Sequence, residues 1–167
     1  FRPDTDVALL NAMIYTIIEE DLVDQSYVNR YTEDFEKIRE NIAGYSPETM
    51  APLCGIDAVK IREVARLYGS SRHSMIFWGM GISQHIHGTD NARALIALAL
   101  MTGNVGRPGT GLHPLRGQNN VQGASDAGLI PMMLPDYQRV DDQDARAWFE
   151  QYWKVNLEKK PGLTVVE

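Results

Sequence analysis

The sequence predicts a mixed α/β fold, and three features of its middle part support that class. A helical pattern ending near Tyr68 is followed by Met75–Trp78, a continuous apolar run with the length of a buried strand. Glycines follow the run at once, and a second helix, apolar almost all round, is predicted from about Asp90 to Met101. A helix, a buried strand and a buried helix in this order are typical of an α/β layer.

The residues before this strand predict a helical scaffold. Thr5-Asp6 offers the N-cap of a helix whose apolar residues recur at helical spacing up to Ile17. The mixed apolar and charged pattern between Ser26 and Gly44 predicts one or two surface helices. Ser46-Pro47 starts a short helical turn with proline at its favoured first position, and Asp57 caps the next helix. One face of that helix is apolar and consists of Ile61, Val64, Ala65 and Tyr68.

The residues after the strand predict a capped helix and then a long loop. Thr89 is the expected cap of the apolar helix, which closes at Gly103-Asn104. From Gly103 to Gly123 the chain holds six glycines and two prolines without clear periodicity. This pattern predicts a loop of unusual length, and long ordered loops tend to be functional.

The C-terminal part predicts one more helix and a strand. Asp141–Asp144 begins the helix, whose apolar side carries Trp148, Tyr152 and Trp153. Leu163–Glu167 is the expected strand after the turn at Pro161-Gly162. Because the chain starts at Phe1 without an initiator Met, and because this strand has nothing behind it to pair with, we expect an internal piece of a longer chain.

Composition excludes several classes of function. The chain has 167 residues, of which 44% are hydrophobic, a length that suits one globular domain. Its net charge of -6 argues against nucleic acid or another polyphosphate held by bulk electrostatics. No apolar run reaches the roughly 20 residues of a membrane-spanning helix. Cys54 is the only cysteine, which excludes an internal disulfide and a thiolate cluster built by this chain alone.

The first candidate for chemistry is Gly79-Met80-Gly81-Ile82-Ser83-Gln84, directly after the predicted strand. In α/β sheets, ligands bind just past the C-terminal ends of the strands, where glycine lets backbone N–H groups approach closely. The alternative is that the two glycines serve packing only. The segment lacks the third glycine and the later acidic residue of the dinucleotide fingerprint, so the sequence does not support an ordinary nicotinamide site.

The second candidate is Arg116, which lies in the predicted loop among several amide side chains. These amides are Gln118, Asn119, Asn120 and Gln122. Amides both donate and accept hydrogen bonds and suit a heteroaromatic edge, while a guanidinium suits a small carboxylate through paired hydrogen bonds. The alternative is a solvated polar loop with an ordinary surface arginine.

The cysteine and the histidines do not predict a metal site. His85, His87 and His113 form the cluster worth testing, but no cysteine or carboxylate lies beside them at zinc-like spacing. Cys54 is expected to be a small buried hydrophobe. We therefore expect no metal ligand from this chain, and His113 is interpreted as a loop packing residue with an open role.

Three ordered blocks of this sequence resemble the molybdopterin oxidoreductase family. The blocks are Trp78-Gly79-Met80-Gly81-x-x-Gln84, then Leu100-x-Thr102-Gly103-Asn104-Val105-Gly106-x-Pro108-Gly109-x-Gly111, then Pro114-x-Arg116-Gly117-Gln118-Asn119-Asn120-Val121-Gln122-Gly123-Ala124-x-Asp126. The resemblance covers nearly the whole chain, and the third block resembles the formate dehydrogenase branch. It implies the C-terminal half of a molybdopterin-binding, Rossmann-like (dinucleotide-binding-like) αβα domain in residues 1–118, and the incomplete start of an adjacent α/β domain in residues 119–167.

The resemblance also implies roles for individual residues. Met80 and Gln84 match positions beside the pterin and the metal, and Gly79 and Gly81 match a tight turn there. Gly117 and Gln118 match pterin contacts, and Arg116 matches the arginine that orients formate. An always-charged planar fork suits that role better than lysine, because formate must be held in one orientation while a hydride equivalent leaves it.

The resemblance implies cofactors and partners that lie mostly outside this chain. The family uses two molybdopterin guanine dinucleotides with molybdenum or tungsten, an iron–sulfur cluster, and a selenocysteine or cysteine ligand; neither the cluster's cysteines nor that metal ligand has a counterpart here. We therefore expect an oxidoreductase part that is inactive alone and joins the rest of a large subunit and electron-transfer subunits. The tail from Trp153 onward resembles soluble nicotinamide-linked enzymes, which implies a cytoplasmic parent. The alternatives are a non-catalytic chain, either a truncated gene product or a module that binds a partner or part of the cofactor, and a family member with another substrate.

Overall fold

The computed structural model describes residues 1–164 and contains nine α-helices within them. The helices are α1 (Asp6–Glu19), α2 (Gln25–Tyr31), α3 (Phe35–Ile42), α4 (Pro47–Cys54), α5 (Ala58–Ser70), α6 (Met80–Ser83), α7 (Gly88–Met101), α8 (Val121–Asp126) and α9 (Gln143–Trp153). The strand expected at Leu163–Glu167 lies partly outside the described residues and stays a prediction.

A small parallel sheet confirms the mixed α/β class. It consists of β1 (Met75–Trp78) and β2 (Gly111–Pro114). Met75 lies opposite Gly111, and Trp78 lies opposite Pro114. The connection between the strands contains α6 and α7, so the chain forms a βαβ unit. The Rossmann-like character of the parent domain stays a prediction.

β2 corrects the expectation of a structureless loop from Gly103 to Gly123. Its four residues include a glycine and a proline, which have low β propensity and hide the strand from pattern analysis. Pairing with β1 and packing of the partly buried Leu112 on the core define this strand, and neither effect is visible in the local sequence.

β1 forms where it was expected, but it is only half-buried. Ile76 and Trp78 pack against the core, whereas Met75 and Phe77 are 46% and 58% exposed. Successive side chains of a strand point to opposite faces, and the described residues cover one face of this sheet. The prediction of a fully buried strand is therefore wrong for the residues described.

The hydrophobic core formed by residues between Leu10 and Met101 lies between α1, α5 and α7. Helix α1 packs against both other helices, because its buried residues recur at the helical spacing that the sequence shows. The buried cluster consists of Leu10, Ile14, Ile17, Val28, Ile42, Ala65, Ala94, Leu95, Leu98 and Met101. The sheet packs on this cluster through its inner face, so the helices fix the position of the strand ends.

A buried asparagine joins β1 to the end of α7. The Oδ1 atom of Asn104 accepts a hydrogen bond of 3.0 Å from the backbone N–H of Ser74, and its Nδ2 atom donates to the Thr102 hydroxyl at 2.9 Å. Asn104 is fully buried. Buried polar groups need partners, and this side chain supplies them where the strand begins.

The helix caps agree with the sequence in part. Ser46 and Asp142 accept hydrogen bonds from the first turns of α4 and α9, as expected. Thr89 is not the cap of α7, because that helix already begins at Gly88. Thr5 occupies the cap position of α1, but its hydroxyl donates to the Arg2 carbonyl oxygen instead.

The chain divides into two compact units, and the second begins at Arg116. Its described residues, 116–164, contain α8, α9 and a 3-10 turn at Pro135–Tyr137. Phe149 is the buried residue of α9, whereas the aromatic residues predicted on its apolar side are largely exposed: Trp148 58%, Tyr152 70% and Trp153 41%. The division of the parent into domains at residue 118 stays a prediction.

Among residues 1–164, no helix combines the length and the apolar character that spanning a membrane requires.

Candidate functional site

The first candidate segment forms one short helical turn at the C-terminal end of β1. The Gly79 carbonyl oxygen accepts a hydrogen bond of 3.1 Å from the N–H of Ile82, and the Met80 carbonyl oxygen accepts one of 2.8 Å from the N–H of Gln84. Four of the predicted site residues are thus brought together within six positions. Three of them, Met80, Gly81 and Gln84, are exposed.

The two glycines of this turn are not required by its backbone. Gly79 has a φ of -136°, and Gly81 is not among the residues with positive φ. A Cβ atom at Gly79 would meet the Leu115 carbonyl oxygen at an ordinary 3.5 Å, and one at Gly81 would meet nothing within 4 Å. The expected tight turn therefore does not explain these glycines. Because glycine has no side chain, their backbone is open to an approaching group.

Asn91 holds the turn from the side of α7. Its Nδ2 atom donates a hydrogen bond of 2.9 Å to the Ile82 carbonyl oxygen, and the side chain is 2% exposed. Gly88 packs beneath the same turn, where a Cβ atom would overlap the Ser83 carbonyl oxygen. Sequence reasoning missed both residues. The available signal was a polar residue in helical register with the buried Ala94, Leu95 and Leu98.

His85 also contacts the turn through its side chain. Its Nε2 atom lies 2.5 Å from the Gly81 carbonyl oxygen, and its Nδ1 atom is hydrogen-bonded to the Asp4 carboxylate. The Gly81 carbonyl and, second, the Asp4 carboxylate raise the pKa of His85 above its ordinary value of 6.5. His85 thus joins the start of the chain to α6.

The end of β2 lies beside the end of β1. The Leu115 N–H donates a hydrogen bond of 2.6 Å to the Trp78 carbonyl oxygen, which extends the pairing past Pro114. His113 stacks on Phe77 with the ring centroids 4.9 Å apart, and its Nε2 atom has no hydrogen-bond partner within residues 1–164. His113 is therefore a packing residue of the sheet in this structure.

The second candidate segment, Arg116 to Gln118, is exposed and belongs to the second unit. No carboxylate of the described residues lies within 4.0 Å of the Arg116 guanidinium, whereas Arg139 makes a paired contact with Asp141 at 2.8 and 2.7 Å. Arg116 therefore retains its hydrogen-bonding fork for a further anion.

The neighbouring asparagine has a structural role that limits what the amide run can do. Asn120 adopts the left-handed conformation at the N-cap of α8, with a φ of 51°. A Cβ atom at Gly123 would lie 2.5 Å from the Asn120 Oδ1 atom, so the glycine makes room for that side chain. Gln118 and Asn119 remain exposed and available to a ligand.

The described residues provide no ready metal site. Between residues 1 and 164 no three His, Cys, Asp or Glu side chains are placed to hold a metal ion. Cys54 is fully buried, its Sγ atom lies 3.9 Å from the Thr5 carbonyl oxygen, and burial raises the pKa of the thiol. These facts confirm the interpretation of Cys54 as a small buried residue.

A family model and several curated proteins match this chain over nearly its whole length. The model of the family described as molybdopterin oxidoreductase matches residues 1–167. The chain is 48% identical over 165 residues to the F420-dependent formate dehydrogenase subunit alpha of Methanocaldococcus jannaschii, and 45% identical over 164 residues to formate dehydrogenase H of Escherichia coli. These matches cover 99% and 98% of this chain, but only 24% and 23% of the relatives. The chain thus spans about a quarter of the length of these relatives.

A solved structure shows the same local fold. Acetylene Hydratase from Pelobacter acetylenicus matches 65% of this chain and 15% of its own chain, with a TM-score of 0.63 and 28% sequence identity.

Proposed function

Because the chain belongs to the molybdopterin oxidoreductase family, we propose that it forms part of a formate dehydrogenase large subunit that interconverts formate and carbon dioxide. The observation that carries the proposal is the exposed guanidinium of Arg116, which pairs with no carboxylate of residues 1–164 and lies within the run from Arg116 to Gly123. Two similar proteins named as formate dehydrogenases support this choice of substrate.

Arg116 is proposed to orient the substrate. Its two parallel N–H groups donate to the two oxygens of a carboxylate, which fixes the direction of the formate C–H bond. The guanidinium keeps its charge at every working pH, so this grip does not depend on a proton. Lysine would hold the charge without fixing the plane of the carboxylate.

The exposed turn after β1 fits a pterin contact. Met80 presents an apolar side chain that is 44% exposed, Gly81 presents open backbone, and Gln84 presents an amide that both donates and accepts. A heteroaromatic ring with polar edges needs this combination. We propose that Gly79, Met80, Gly81 and Gln84 contact the pterin.

The second unit contributes its own proposed contacts. Gly117 offers exposed backbone, and Gln118 offers an exposed amide. We propose that both contact a pterin. The cofactor is proposed to be a pair of molybdopterin guanine dinucleotides with molybdenum or tungsten, and when bound it accepts the two electrons of formate oxidation.

The remaining parts of the enzyme are proposed to lie in other segments and subunits. These parts are an iron–sulfur cluster, the selenocysteine or cysteine metal ligand, and the electron-transfer partners. We propose that this chain alone does not turn over formate. A cytoplasmic location is proposed from the resemblance of the tail after Trp153 to soluble nicotinamide-linked enzymes.

Two other functions remain as candidates. A family member with another substrate is favoured by the structural match to acetylene hydratase, which is named for a different reaction. A non-catalytic module that binds a partner or part of the cofactor is favoured by the lack of a metal-ligand group within residues 1–164.

The test uses the full-length subunit that contains this segment. The purified enzyme is assayed for formate oxidation, nitrate reduction, sulfoxide reduction and acetylene hydration, and its molybdenum, tungsten and pterin contents are measured by mass spectrometry. We expect the purified subunit to contain metal and pterin and to oxidise formate. Activity with one of the other substrates alone, or a subunit without metal and pterin, would contradict it.

A further inference from the structure

The two ring nitrogens of His85 face two hydrogen-bond acceptors. Nε2 lies beside the Gly81 carbonyl oxygen and Nδ1 lies beside the Asp4 carboxylate. A neutral imidazole has one N–H donor and one acceptor nitrogen, so it can satisfy only one of these partners. Both contacts form together only when both nitrogens carry protons. The geometry therefore matches the imidazolium form of His85.

The surroundings of His85 favour that charge. The charged groups that act on the ring are Asp4, before α1, and Asp6, in the first turn of α1, and both raise the pKa of His85. The His85 side chain is 23% exposed and Asp6 is buried, whereas Asp4 is 79% exposed. A backbone carbonyl and two carboxylates thus favour the protonated form of the ring.

The contacts of His85 complete the support of the turn after β1. Asn91 holds this turn at the Ile82 carbonyl oxygen, and His85 holds it at the Gly81 carbonyl oxygen. The backbone carbonyl of His85 also accepts a hydrogen bond of 3.0 Å from Gly88, the first residue of α7. The Gly81 end of the turn thus depends on a group that titrates.

We propose that His85 is a positioning residue that, as an imidazolium paired with Asp4, fixes the exposed backbone of Gly81 for cofactor binding. The positioning of the turn is a property of this chain. Only its link to a cofactor rests on the proposed function.

The sign of the pH dependence follows from the raised pKa. The contribution of His85 is fully present below its ordinary value of 6.5 and is lost as the pH rises through the higher value of the folded state. Above that value one of the two hydrogen bonds must break. The turn should then open more often, while the core between α1, α5 and α7 stays intact.

The first experiment measures the histidines of the 167-residue chain by NMR. We expect His85 to titrate above the ordinary histidine value of 6.5. Asp4→Asn should lower the pKa of His85, and Asp4→Glu should restore much of it. A His85 that titrates at or below its ordinary value of 6.5, or that does not respond to Asp4→Asn, would overturn the proposal.

The second experiment measures amide hydrogen exchange of Ile82, Ser83 and Gln84 at about pH 5.5 and about pH 8.5. The protection of these amides should fall by about fivefold at the higher pH, the effect of losing one ordinary hydrogen bond. His85→Gln should show the low protection at both pH values, and His87→Gln should behave as the parent. Equal protection at both pH values in the parent would contradict the proposal. If His85→Gln does not fold, the Asp4→Asn chain replaces it, because Asp4 is exposed and lies outside the core.

Neither experiment uses a cofactor or a substrate. A negative result here leaves the assignment to formate dehydrogenase unaffected, and an enzyme active on another substrate leaves the His85 result unaffected. The two proposals therefore fail separately.

Discussion

Asn91 donates a hydrogen bond of 2.9 Å to the carbonyl oxygen of Ile82, from a side chain that is 2% exposed. This bond joins the first turn of α7 to the turn that follows β1. The carbonyl oxygen of a four-residue helix has few other partners, so a neighbouring side chain must supply its donor. The position of the candidate site thus depends on a residue of the core.

Replacing Asn91 should weaken both the fold and the turn. Asn91→Asp removes the donor and buries a carboxylate, and Asn91→Leu removes the amide altogether. The free energy of unfolding should fall by about 1 to 3 kcal/mol in either variant, the range for a buried group that loses its hydrogen bond. Urea denaturation measures this change. Asn29→Leu in α2 is the control, because Asn29 is exposed. Equal losses in Asn29→Leu and Asn91→Leu would exclude a special role of Asn91.

Variants of Gly88 and Gly81 should have different effects on stability, because Gly88 supports the turn after β1 whereas Gly81 lies on its exposed surface. Gly88→Ala places a Cβ atom against the Ser83 carbonyl oxygen and should destabilise the chain by about 1 to 3 kcal/mol. Gly81→Ala meets nothing within 4 Å and should leave stability unchanged or raise it by up to about 1 kcal/mol. Thermal unfolding of the two variants checks this order.

The Gly81→Ala variant also tests the proposed contact between Gly81 and the pterin. In the full-length subunit, Gly81→Ala should lower the pterin content although the fold is intact, because the added methyl group covers exposed backbone. A Gly81→Ala subunit that retains the parent's pterin content would remove Gly81 from the binding surface.

The ion pairs between α1 and α5 predict a loss of stability in acid. Glu20 accepts hydrogen bonds of 2.6 and 2.8 Å from Arg66, and these lower the pKa of Glu20 below its ordinary value of 4.5. A lowered pKa contributes stability that is present above 4.5 and is lost as the pH falls through the folded-state value. The stability difference between pH 7 and pH 3 should therefore shrink in Glu20→Gln, by up to about 1 kcal/mol.

The control for this measurement is Glu40→Gln in α3, because Glu40 is exposed and outside these ion pairs. Its acid sensitivity should equal that of the parent. A parent and a Glu20→Gln variant with the same pH dependence would show that the Glu20–Arg66 pair does not contribute.

The sequence predicted the elements whose signals are local. Three such signals are the amphipathic pattern of α1, the Ser46-Pro47 start of α4 and the apolar run of β1. Each depends on residues that are close in sequence, and α1, α4 and β1 all form where they were expected. β2 was missed because its pairing with Met75–Trp78 joins residues far apart in the chain. Burial of β1 was overestimated, because an apolar run does not indicate which neighbouring elements are present.

Sequence reasoning singled out the exposed residues of the candidate site, whose roles stay predictions, and missed the residues that support them. Gly79 to Gln84 could be found from their place after a strand and from the family resemblance. Asn91 and Gly88 could not, because their role arises from contact between α7 and α6. His85 was considered as a metal ligand, whereas its partners are Asp4 and a carbonyl oxygen. A sequence shows which side chains can donate hydrogen bonds, but the fold determines what they meet.

The measurement that tests the central claim most directly is the formate dependence of the full-length enzyme with Arg116→Lys. The variant keeps the positive charge but loses the planar fork, so KM for formate should rise by at least about tenfold while metal and pterin contents stay unchanged. Arg30→Lys, on the exposed surface of α2, should leave KM unchanged. An Arg116→Lys enzyme with the parent's KM and turnover would contradict the proposal that Arg116 orients formate.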